Sequence, residues 1–452
     1  MPIKQYLVAL VSAFMLCSQV LAVTSAPNDF YKSLPNIVIF LADDMGYGDI
    51  GVNGNTIIKT PHIDGLAERG LNFSQFYASA NVCTPSRAGL MTGRYAIRSG
   101  LAEGVLSANS EQGLPNAEET IAELAQRAGL QTGLIGKWHL GGFPTHHPHR
   151  HGWQTFFGVP HSNDMANFAL FDGQREVERP VQQSSLTQRY TERAVRFIND
   201  NADQPFLLMV SHTMPHIPLY ASDPFRGRSD AGLYGDVIEE LDASVGSIVQ
   251  ALKARGLLSN TLIVFTSDNG PFFEGSVAGL KGGKGNGWEG GFRVPGVISW
   301  PDKISKARRI DSMASNLDLL PTLANILNVE PIAKVIDGKS LLPVFSGAKH
   351  GAHKYLYYFN NEGLIGLRDK RWKYLTHVYY RKSLGAFEKF HKLDGFDAGY
   401  DMLFAMNGGG HEQYSLADRK PVTLKRFKKE LAKAREKFEA LMIQKPDATF
   451  PE

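Results

Sequence analysis

Two apolar runs of the sequence each end in a pair of potential metal ligands. Asp43 and Asp44 follow NIVIFLA, and Asp268 and Asn269 follow TLIVFTS. If both runs are strands of one open α/β sheet, the pairs lie beyond their carboxyl ends, where such sheets bind ligands. Three converging carboxylates require a counter-charge, and all-oxygen ligation suits calcium or magnesium rather than zinc. Either pair alone is typical of an ordinary turn, so it is their joint placement that favours a cation site.

The segment NVCTPSRAGLMTGR carries a second set of reactive residues, Cys83 and Arg87. Pro85 suits the first position of a helix, which would place Cys83 near a helix N-terminus, where the dipole favours anions. Arg87 lies one turn further on, and its planar fork of donors matches a tetrahedral oxyanion. A thiolate nucleophile is one interpretation of this pattern. It requires a nearby base, and thiols are readily oxidised outside the cytoplasm.

The amino-terminal residues 1–22 have the pattern of a secretory signal peptide. Lys4 precedes an apolar run from about Tyr6 to Leu16, and the predicted mature chain begins near Val23. The run is too short to span a bilayer. A lipoprotein signal through Cys17 is the weaker alternative, because bulky Leu16 lies where a small residue is wanted. We therefore expect an exported protein, periplasmic or secreted, without a stable membrane anchor.

Removal of that leader leaves Cys83 as the single cysteine of the mature chain. Such a chain has no internal disulfide, and a leftover thiol in an exported protein suggests a chemically special site. A buried cysteine that acts only as a small apolar residue is the competing interpretation.

The composition is that of a globular protein with a large core. Of 452 residues, 43% are hydrophobic and 21% are charged, and the formal net charge is +3. No apolar run after the leader is long enough to cross a membrane. The near balance of charge gives no support to nucleic acid as a partner.

The alternation of apolar runs and amphipathic segments predicts an α/β fold, with a large, mostly parallel sheet between layers of helices. Near-continuous apolar runs are typical of buried strands. The predicted strands are Asn36–Ala42, Gln131–Gly136, Pro205–Ser211, Thr261–Ser267 and Val294–Trp300. One helix is predicted within residues 116–129, with Asn116 as its cap and Glu119 at the capping-box position. A second is predicted within residues 234–252.

Beyond residue 346 the sequence changes to short, aromatic, turn-separated segments, which predict a small antiparallel sheet. A final helix carries an apolar stripe: Leu424, Phe427, Leu431, Ala434, Phe438 and Leu441. Its basic opposite face is interpreted as solvated surface rather than as a polyanion site. The predicted organisation is a signal peptide at 1–22, a catalytic domain at 36–345 and a smaller subdomain at 346–452.

The sequence resembles the type I sulfatases, the formylglycine-dependent hydrolases of the alkaline phosphatase superfamily. Cys83, Pro85 and Arg87 match their CxPSR signature, and the segments LADDMGYGDIG, GLIGKWHLG, SHTMPHIP, FTSDNGP and GGKGNGWEGGFRVP follow in the family's order. The N-acetylgalactosamine-6-sulfatase and arylsulfatase A branch is the most similar. The resemblance implies an alkaline-phosphatase-like fold, a bound calcium ion, and conversion of Cys83 to 3-oxoalanine (formylglycine) by a maturation enzyme.

The resemblance also implies a role for each matching residue. The calcium ligands would be Asp43, Asp44, Asp268 and Asn269, together with the modified Cys83. The residues that hold the formylglycine hydrate would be Arg87 and Lys137. His139 would be the base that lets the sulfated intermediate collapse. His212 and Lys284 would bind the sulfate and assist the leaving alkoxide.

Several alternatives remain open. SHTMPHIP offers two histidines, and we expect His212 to take part in the chemistry and His216 to lie on the substrate rim. A rim of polar side chains is expected to bind a sulfated galactose-type carbohydrate: His149, Arg150, His161, Asn163 and His216. A phosphonate monoester or phosphodiester hydrolase is the second hypothesis. An inactive protein that binds sulfated glycans is the third, and retention of every motif residue disfavours it.

Overall fold

The computed structural model describes residues 34–348, 351–360, 363–376, 401–407 and 410–440. The predicted signal peptide and Cys17 lie outside these residues. The chain from Pro35 onward forms one compact unit. Within the described residues, no helix combines the length and the apolar character that a membrane crossing requires.

A ten-stranded sheet forms the centre of the molecule. In spatial order its strands are β12 (Arg308–Ile310), β2 (Leu71–Phe73), β11 (Gly296–Ser299), β9 (Thr261–Ser267), β1 (Asn36–Ala42), β8 (Phe206–Ser211), β4 (Gln131–Lys137), β5 (Thr155–Val159), β6 (Leu170–Asp172) and β7 (Arg175–Glu178). The five strands from β9 to β5 are parallel to one another. Antiparallel pairs flank them on both sides, so the sheet is mixed around a parallel centre.

The five predicted strands all coincide with β-structure, and four of them are β1, β4, β8 and β9 of the parallel centre; its fifth strand, β5, was not predicted. The fifth, Val294–Trp300, is divided at Pro295. Its first part joins β10 (Arg293–Val294), which pairs in a separate three-stranded sheet with β3 (Phe76–Tyr77) and β13 (Ala314–Ser315). Proline has no N–H to donate to a ladder, so the division falls where the backbone loses a donor.

Helices cover the sheet, which confirms the predicted fold class. In chain order they are α1 (Pro61–Ala67), α2 (Cys83–Thr92), α3 (Ile121–Arg127), α4 (Leu186–Asp200), α5 (Gly232–Ala254), α6 (Glu289–Phe292), α7 (Leu319–Leu327), α8 (Leu342–Phe345) and α9 (Pro421–Glu439). Helices α4 and α5 pack against the sheet face that carries Val38 and Phe40, and residues of both belong to one buried apolar cluster with these two side chains.

Helix α3 begins later than its sequence predicts. Thr120, not Asn116, is the cap: its hydroxyl accepts from the Glu123 backbone N–H at 3.2 Å, and the Glu123 carboxylate accepts from the Thr120 N–H at 2.8 Å. Glu119 instead accepts from the Ile332 N–H at 2.6 Å, so a distant loop takes the carboxylate expected in the cap. The capping box is present, shifted by four residues.

A second, four-stranded antiparallel sheet follows, as the sequence predicts. It consists of β14 (Leu356–Asn360), β15 (Gly363–Arg368), β16 (Trp372–Leu375) and β17 (Met402–Ala405). The stripe of α9 is buried against this sheet, with Phe427 and Phe438 at its centre. Leu441, the last residue predicted for the stripe, lies outside the described residues. The division at residue 346 stays a prediction.

Candidate active site

The carboxyl ends of the central parallel strands bring the predicted site residues together. In-register pairing of β1 with β9 places Ala42 beside Ser267, so the residues that follow each strand emerge side by side. Strand β4 ends in Lys137, two strands away from β1. Cys83 is the first residue of α2, and every residue of this helix is buried. Pro85 is therefore the third helical residue rather than the first, still within the turn whose N–H groups have no helical partner.

Acidic side chains and the thiol form one buried cluster. Asp43, Asp44, Cys83 and Asp268 place potential ligand atoms within 4.8 Å of one another. The Cys83 Sγ lies 3.5 Å from Asp43 Oδ1 and 3.9 Å from Asp44 Oδ1. The Asn269 amide nitrogen donates to Asp44 Oδ1 at 2.7 Å, and its own Oδ1 is buried with no hydrogen-bond partner. The carboxylate oxygens of this cluster, together with the unsatisfied amide oxygen of Asn269, fit a hard divalent cation.

Two basic side chains hold the Asp43 and Asp268 carboxylates. Arg87 donates from Nε to Asp268 Oδ2 at 2.8 Å, and its outer nitrogen lies 3.5 Å from Asp43 Oδ1. A second guanidinium nitrogen donates to the Ser211 hydroxyl at 2.7 Å. Lys137 Nζ lies 2.5 Å from Asp43 Oδ2 and 2.6 Å from the Ser162 hydroxyl. Ser162 was not predicted, and its position after the apolar strand β5 is the signal that would have found it.

The two central carboxyl groups titrate in opposite directions. Burial would raise the pKa of Asp43, but Lys137 and Arg87 outweigh it and hold this pKa well below its ordinary value. Burial and then the charge of Asp43 raise the pKa of Asp268 to about 6, with Arg87 opposing. Of these two carboxyl groups, Asp43, which lies beside the thiol, is the more firmly ionised.

Burial raises the pKa of the Cys83 thiol well above its ordinary value, and Lys137 and Lys284 do not offset it. An unmodified side chain at this position is thus a neutral thiol, which is a weak nucleophile. Lys284 lies on the open side of the cluster, with Nζ 2.7 Å from Asp44 Oδ2. Burial would lower its pKa, but Asp44, Cys83 and Asp43 together outweigh burial, so the pKa is raised and the ammonium persists.

His139 is held with one ring nitrogen available. Its Nε2 lies 3.0 Å from the carbonyl oxygen of Leu106, which can only accept, so Nε2 carries the proton. The remaining nitrogen, Nδ1, is buried with no partner. Burial lowers the pKa of His139 well below its ordinary value, with Lys137 and Arg87 adding to the effect. The ring is therefore neutral, with a free lone pair at Nδ1.

The two histidines of SHTMPHIP lie in different surroundings. His216 shares the cluster with Asp44 and Cys83, and its Nε2 is 3.6 Å from Asp44 Oδ2. Both ring nitrogens of His212 are buried without a hydrogen-bond partner. Its ring centroid lies 6.4 Å from that of Tyr190, a core residue of α4, and burial alone lowers its pKa to about 4. The position of His216 therefore fits a chemical role, and the expectation for His212 does not fit its position.

Two of these residues have left-handed backbone conformations. The φ angles are 68° at Asp44 and 58° at His139. Such angles are uncommon outside glycine, and strain of this kind is concentrated at functional sites. Gly136, directly before Lys137, permits the close strand contact: a Cβ there would lie 1.8 Å from the carbonyl oxygen of Ser211.

The predicted rim is only partly present. His161 is buried next to Ser162, and the Asn163 amide donates to the Pro218 carbonyl at 3.0 Å. His149 contacts the Trp153 carbonyl, before the start of β5, and so lies with Arg150 at the amino end of that strand, away from the cluster. The strand direction decides this, since the site lies at the carboxyl ends.

The sequence prediction missed two aromatic residues near the cluster. Phe272 and Phe273 follow Asn269 closely and are 42% and 77% exposed, with ring centroids 4.6 Å apart. The Lys284 N–H donates to the Pro271 carbonyl at 2.8 Å, which ties this segment to the loop that carries Lys284. A pair of phenylalanines directly after a ligand-bearing loop is the sequence signal that would have indicated it.

Comparison with known proteins agrees with this arrangement. The family model described as Sulfatase matches residues 35–329, and a second model, described as N-sulphoglucosamine sulphohydrolase, C-terminal, matches residues 284–392. The chain belongs to the sulfatase family. It is a sulfuric ester hydrolase by that membership.

Curated relatives extend over most of the chain. Steryl-sulfatase of Homo sapiens is 35% identical over 431 residues, which cover 74% of each chain. Arylsulfatase A of Homo sapiens is 37% identical over 376 residues, which cover 75% of this chain and 74% of the relative. The predicted resemblance to the type I sulfatases and to arylsulfatase A is confirmed.

Solved structures share the fold. A crystal structure of Ps i-CgsB in complex with k-i-k-neocarrahexaose has a TM-score of 0.77 and 28% identity, covering 89% of this chain and 93% of that one. The phosphonate monoester hydrolase of Agrobacterium radiobacter has a TM-score of 0.65 at 20% identity, covering 89% and 96%, which shows a common fold alone.

Proposed function

We propose that this sulfatase is an exported enzyme that uses formylglycine at position 83 and a bound calcium ion to hydrolyse sulfate monoesters of a galactose-type carbohydrate. The observation that carries the proposal is the convergence of Cys83 with three carboxylates and three basic side chains at one buried centre. A maturation enzyme would act on Cys83 before the centre is complete.

The calcium ion would be held by the carboxylates of Asp43, Asp44 and Asp268, the amide oxygen of Asn269 and the modified side chain at position 83. The unpartnered Asn269 Oδ1 and the four ligand atoms within 4.8 Å support this set. When bound, the ion would stabilise negative charge on the transferring sulfuryl group. It would also neutralise negative charge on the carboxylates, which are paired with lysine and arginine side chains.

The aldehyde of formylglycine would be hydrated, and one hydroxyl of this hydrate would be the nucleophile. The unmodified thiol offers no such hydroxyl. Arg87 and Lys137 would orient that hydrate, since both contact the Asp43 carboxylate, whose Oδ1 lies 3.5 Å from Cys83 Sγ. Ser162 and Ser211 position them, one at 2.6 Å from Lys137 Nζ and the other at 2.7 Å from the guanidinium of Arg87. These two serines are positioning residues.

His139 would act as a general base through Nδ1. The bond from Nε2 to the Leu106 carbonyl fixes the tautomer, and the lowered pKa keeps Nδ1 unprotonated at neutral pH. A base in hydrogen-bond reach of the second hydroxyl of the hydrate would remove its proton when sulfate departs, so that no water has to attack.

His216 and Lys284 would bind the sulfate and assist the leaving alkoxide. Both contact Asp44 from the open side of the cluster, at 3.6 Å and 2.7 Å. Lys284 stays protonated and provides a fixed positive charge, whereas His216 is a hydrogen-bond partner for the ester oxygen. The sequence prediction gave the sulfate-binding role to His212. It is proposed for His216 because His216 lies beside Asp44 and Cys83.

The galactose-type substrate is supported by the resemblance to the galactosamine-sulfatase branch and by the oligosaccharide bound to the related Ps i-CgsB. The test compares kcat/KM for sulfate release from galactose-sulfate, N-acetylgalactosamine-sulfate and glucosamine-sulfate oligosaccharides and from an aryl sulfate. We expect the galactose-type substrates to give the highest value. A higher value for glucosamine or aryl substrates would refute the sugar assignment and leave the sulfatase activity standing.

A phosphonate monoester or phosphodiester hydrolase is the second candidate activity, favoured by one observation. Three carboxylates, one divalent cation and three basic side chains leave a formal charge of about +2 with neutral histidines, which suits any monoanionic ester. Rates on matched aryl sulfate and aryl phosphonate substrates decide between the two. We expect the sulfate to react faster.

A further inference from the structure

A cavity of about 380 Å³ lies outside the candidate active site, between the edge of the large sheet and the four-stranded sheet. Its wall includes Gln75 after β2, Arg309 of β12, and Lys370 and Arg371 of the turn between β15 and β16. The volume falls within the ~300–1,000 Å³ usual for ligand sites. Nothing in the chemistry proposed above uses this cavity.

The lining is strongly basic. Arg309, Lys370 and Arg371 are exposed cations, and Asp311 is the one carboxylate among the lining residues that the structure describes. Asp311 lies 3.5 Å from the Arg309 guanidinium, at the weak end of an ion pair. The nearby Asp369 is not available to the cavity, since its carboxylate accepts from backbone N–H groups of the turn and from Arg426 at 2.9 Å.

The side chains behind the cavity are buried and ion-paired. Arg368 is buried, and its guanidinium donates to the Gln75 side chain at 2.8 Å and lies 3.2 Å from Glu289. Lys373 also contacts Glu289, at 3.0 Å, so this carboxylate is shared between two cations. The buried groups behind the cavity therefore add no net negative charge to it.

The cavity opens at the same edge of the sheet as the candidate active site. Strand β2 is antiparallel to β11, and β11 is antiparallel to β9, so β2 and β9 point the same way; β12 is parallel to β2. Gln75 and Asp311 thus follow carboxyl ends, as Asp268 does. At about 4.8 Å a strand, β2 and β12 lie roughly 10 and 14 Å from β9 along the sheet.

We propose that this basic cavity is a second anion-binding site, which holds a sulfate group on a neighbouring part of the glycan chain. Guanidinium groups match the planar donor geometry that sulfate oxygens accept. Engagement of a second sulfate raises the effective concentration of the scissile ester at the active site without any new contact there. The glycan class rests on the proposed function, whereas the anion chemistry of the cavity does not.

The test uses the full mature protein with Lys370→Ala and Arg371→Ala together. The matched control is Arg196→Ala with Lys253→Ala, two exposed cations near the carboxyl ends of α4 and α5. Binding of a sulfated galactan hexasaccharide is measured by calorimetry in a Cys83→Ala background. We expect Kd to rise about tenfold in the cavity variant, with a steep salt dependence in the parent, and to change less than twofold in the control.

Turnover separates this site from the catalytic centre. In active protein, the cavity variant is expected to raise KM for the hexasaccharide about tenfold and to keep kcat/KM for an aryl sulfate within twofold. Equal Kd values in the cavity and control variants would overturn the proposal. If the protein released no sulfate at all, the proposed function would fail while the binding measurement still decided this inference.

Discussion

The surroundings of Cys83 make its thiol a weak nucleophile, whereas a formylglycine hydrate at this position would be a reactive one. It is buried at the start of α2, within 4 Å of two carboxylates, and its raised pKa keeps it neutral. A cysteine selected only as a small apolar residue has no reason to contact Asp43 and Asp44. The location therefore favours the interpretation of a special site over that of an inert buried thiol.

We predict that active protein carries formylglycine at position 83. The peptide that contains this residue is expected to be lighter than the cysteine form by roughly the mass of one water molecule in mass spectrometry. Cys83→Ala is the control, since it keeps a small side chain but offers no nucleophile. Full activity in protein that retains the unmodified thiol would rule the mechanism out.

We predict different defects for the two histidines of SHTMPHIP. His216→Ala is expected to lower kcat by about 10²–10⁴ on substrates with poor leaving groups, and less on activated aryl sulfates, because its proposed role is to assist the leaving alkoxide. His212→Ala is expected to lower thermal stability while catalysis in the folded protein is retained. Steady-state kinetics on a series of aryl sulfates measures both. A stronger leaving-group dependence for His212→Ala would reverse the assignment.

We predict that His139→Ala leaves a rapid release of about one product molecule per enzyme, followed by slow turnover. The proposed base acts after the first bond breaks, so its loss blocks the second step and spares the first. Stopped-flow measurement with an aryl sulfate checks this, with His216→Ala as the comparison that slows the burst itself. Identical burst amplitudes and rates in the two variants would contradict the division of roles.

At the scale of elements, α6 contacts three strands of the four-stranded sheet through one buried carboxylate, that of Glu289. Glu289 accepts from the Tyr358 hydroxyl at 2.9 Å and pairs with Lys373 and Arg368, on β16 and β15. Burial would raise the pKa of Glu289, but these two cations outweigh it and lower the pKa to about 2. The helix follows the loop of Lys284 by only a few residues, so this network also supports the site.

We predict that Glu289→Gln destabilises the fold by about 3–5 kcal/mol, because it removes the buried anion that Arg368 and Lys373 share and leaves Lys373 only its contact with Glu412. Glu176→Gln, in an exposed pair with Arg179, is the control and is expected to change little. Since the pKa of Glu289 is depressed from 4.5 to about 2, its contribution is complete above pH 4.5 and is lost as the pH falls toward 2. Denaturant unfolding should therefore show that the difference in free energy of unfolding between wild type and Glu289→Gln decreases as the pH falls from 4.5 toward 2.

At the scale of the whole molecule, the candidate metal site joins segments that lie far apart in the chain. Asp44 and Asp268 are separated by 224 positions, and the Asp44 N–H donates to Asp268 Oδ1 at 3.1 Å. A cation bound there would hold the carboxyl ends of β1 and β9 together in the folded state only. Its binding would thus contribute to global stability as well as to catalysis.

We predict that chelation abolishes turnover and lowers the melting temperature, and that calcium restores both. At free calcium 100-fold above Kd the expected stabilisation is about 2.7 kcal/mol. Calorimetry with calcium and with magnesium measures the change in melting temperature. The Asp43→Asn, Asp268→Asn double variant is the control, and neither ion should raise its melting temperature. Unchanged activity in metal-free protein would exclude the site.

The sequence by itself determined the local and directional features of this protein. Buried strands were recognisable because uninterrupted apolar runs have no solvent face, and the ligand pairs were recognisable because they follow such runs. The CxPSR signature indicated the family from contiguous residues. Even so, the capping box of α3 lies four residues after its predicted position. The Glu119 carboxylate accepts a hydrogen bond from the N–H of Ile332, in a distant loop, instead of capping the helix.

Only the tertiary structure decided which side chains meet. His212 and His216 are four residues apart and identical in chemistry, and only the packing of His212 toward Tyr190 separates them. His149 was placed on the rim by its polarity, but the direction of β5 carries it to the opposite edge of the sheet. The basic cavity joins β2, β12 and the β15–β16 turn, which are not neighbours in the sequence. Such contacts depend on strand order and direction, which no local pattern in the chain encodes.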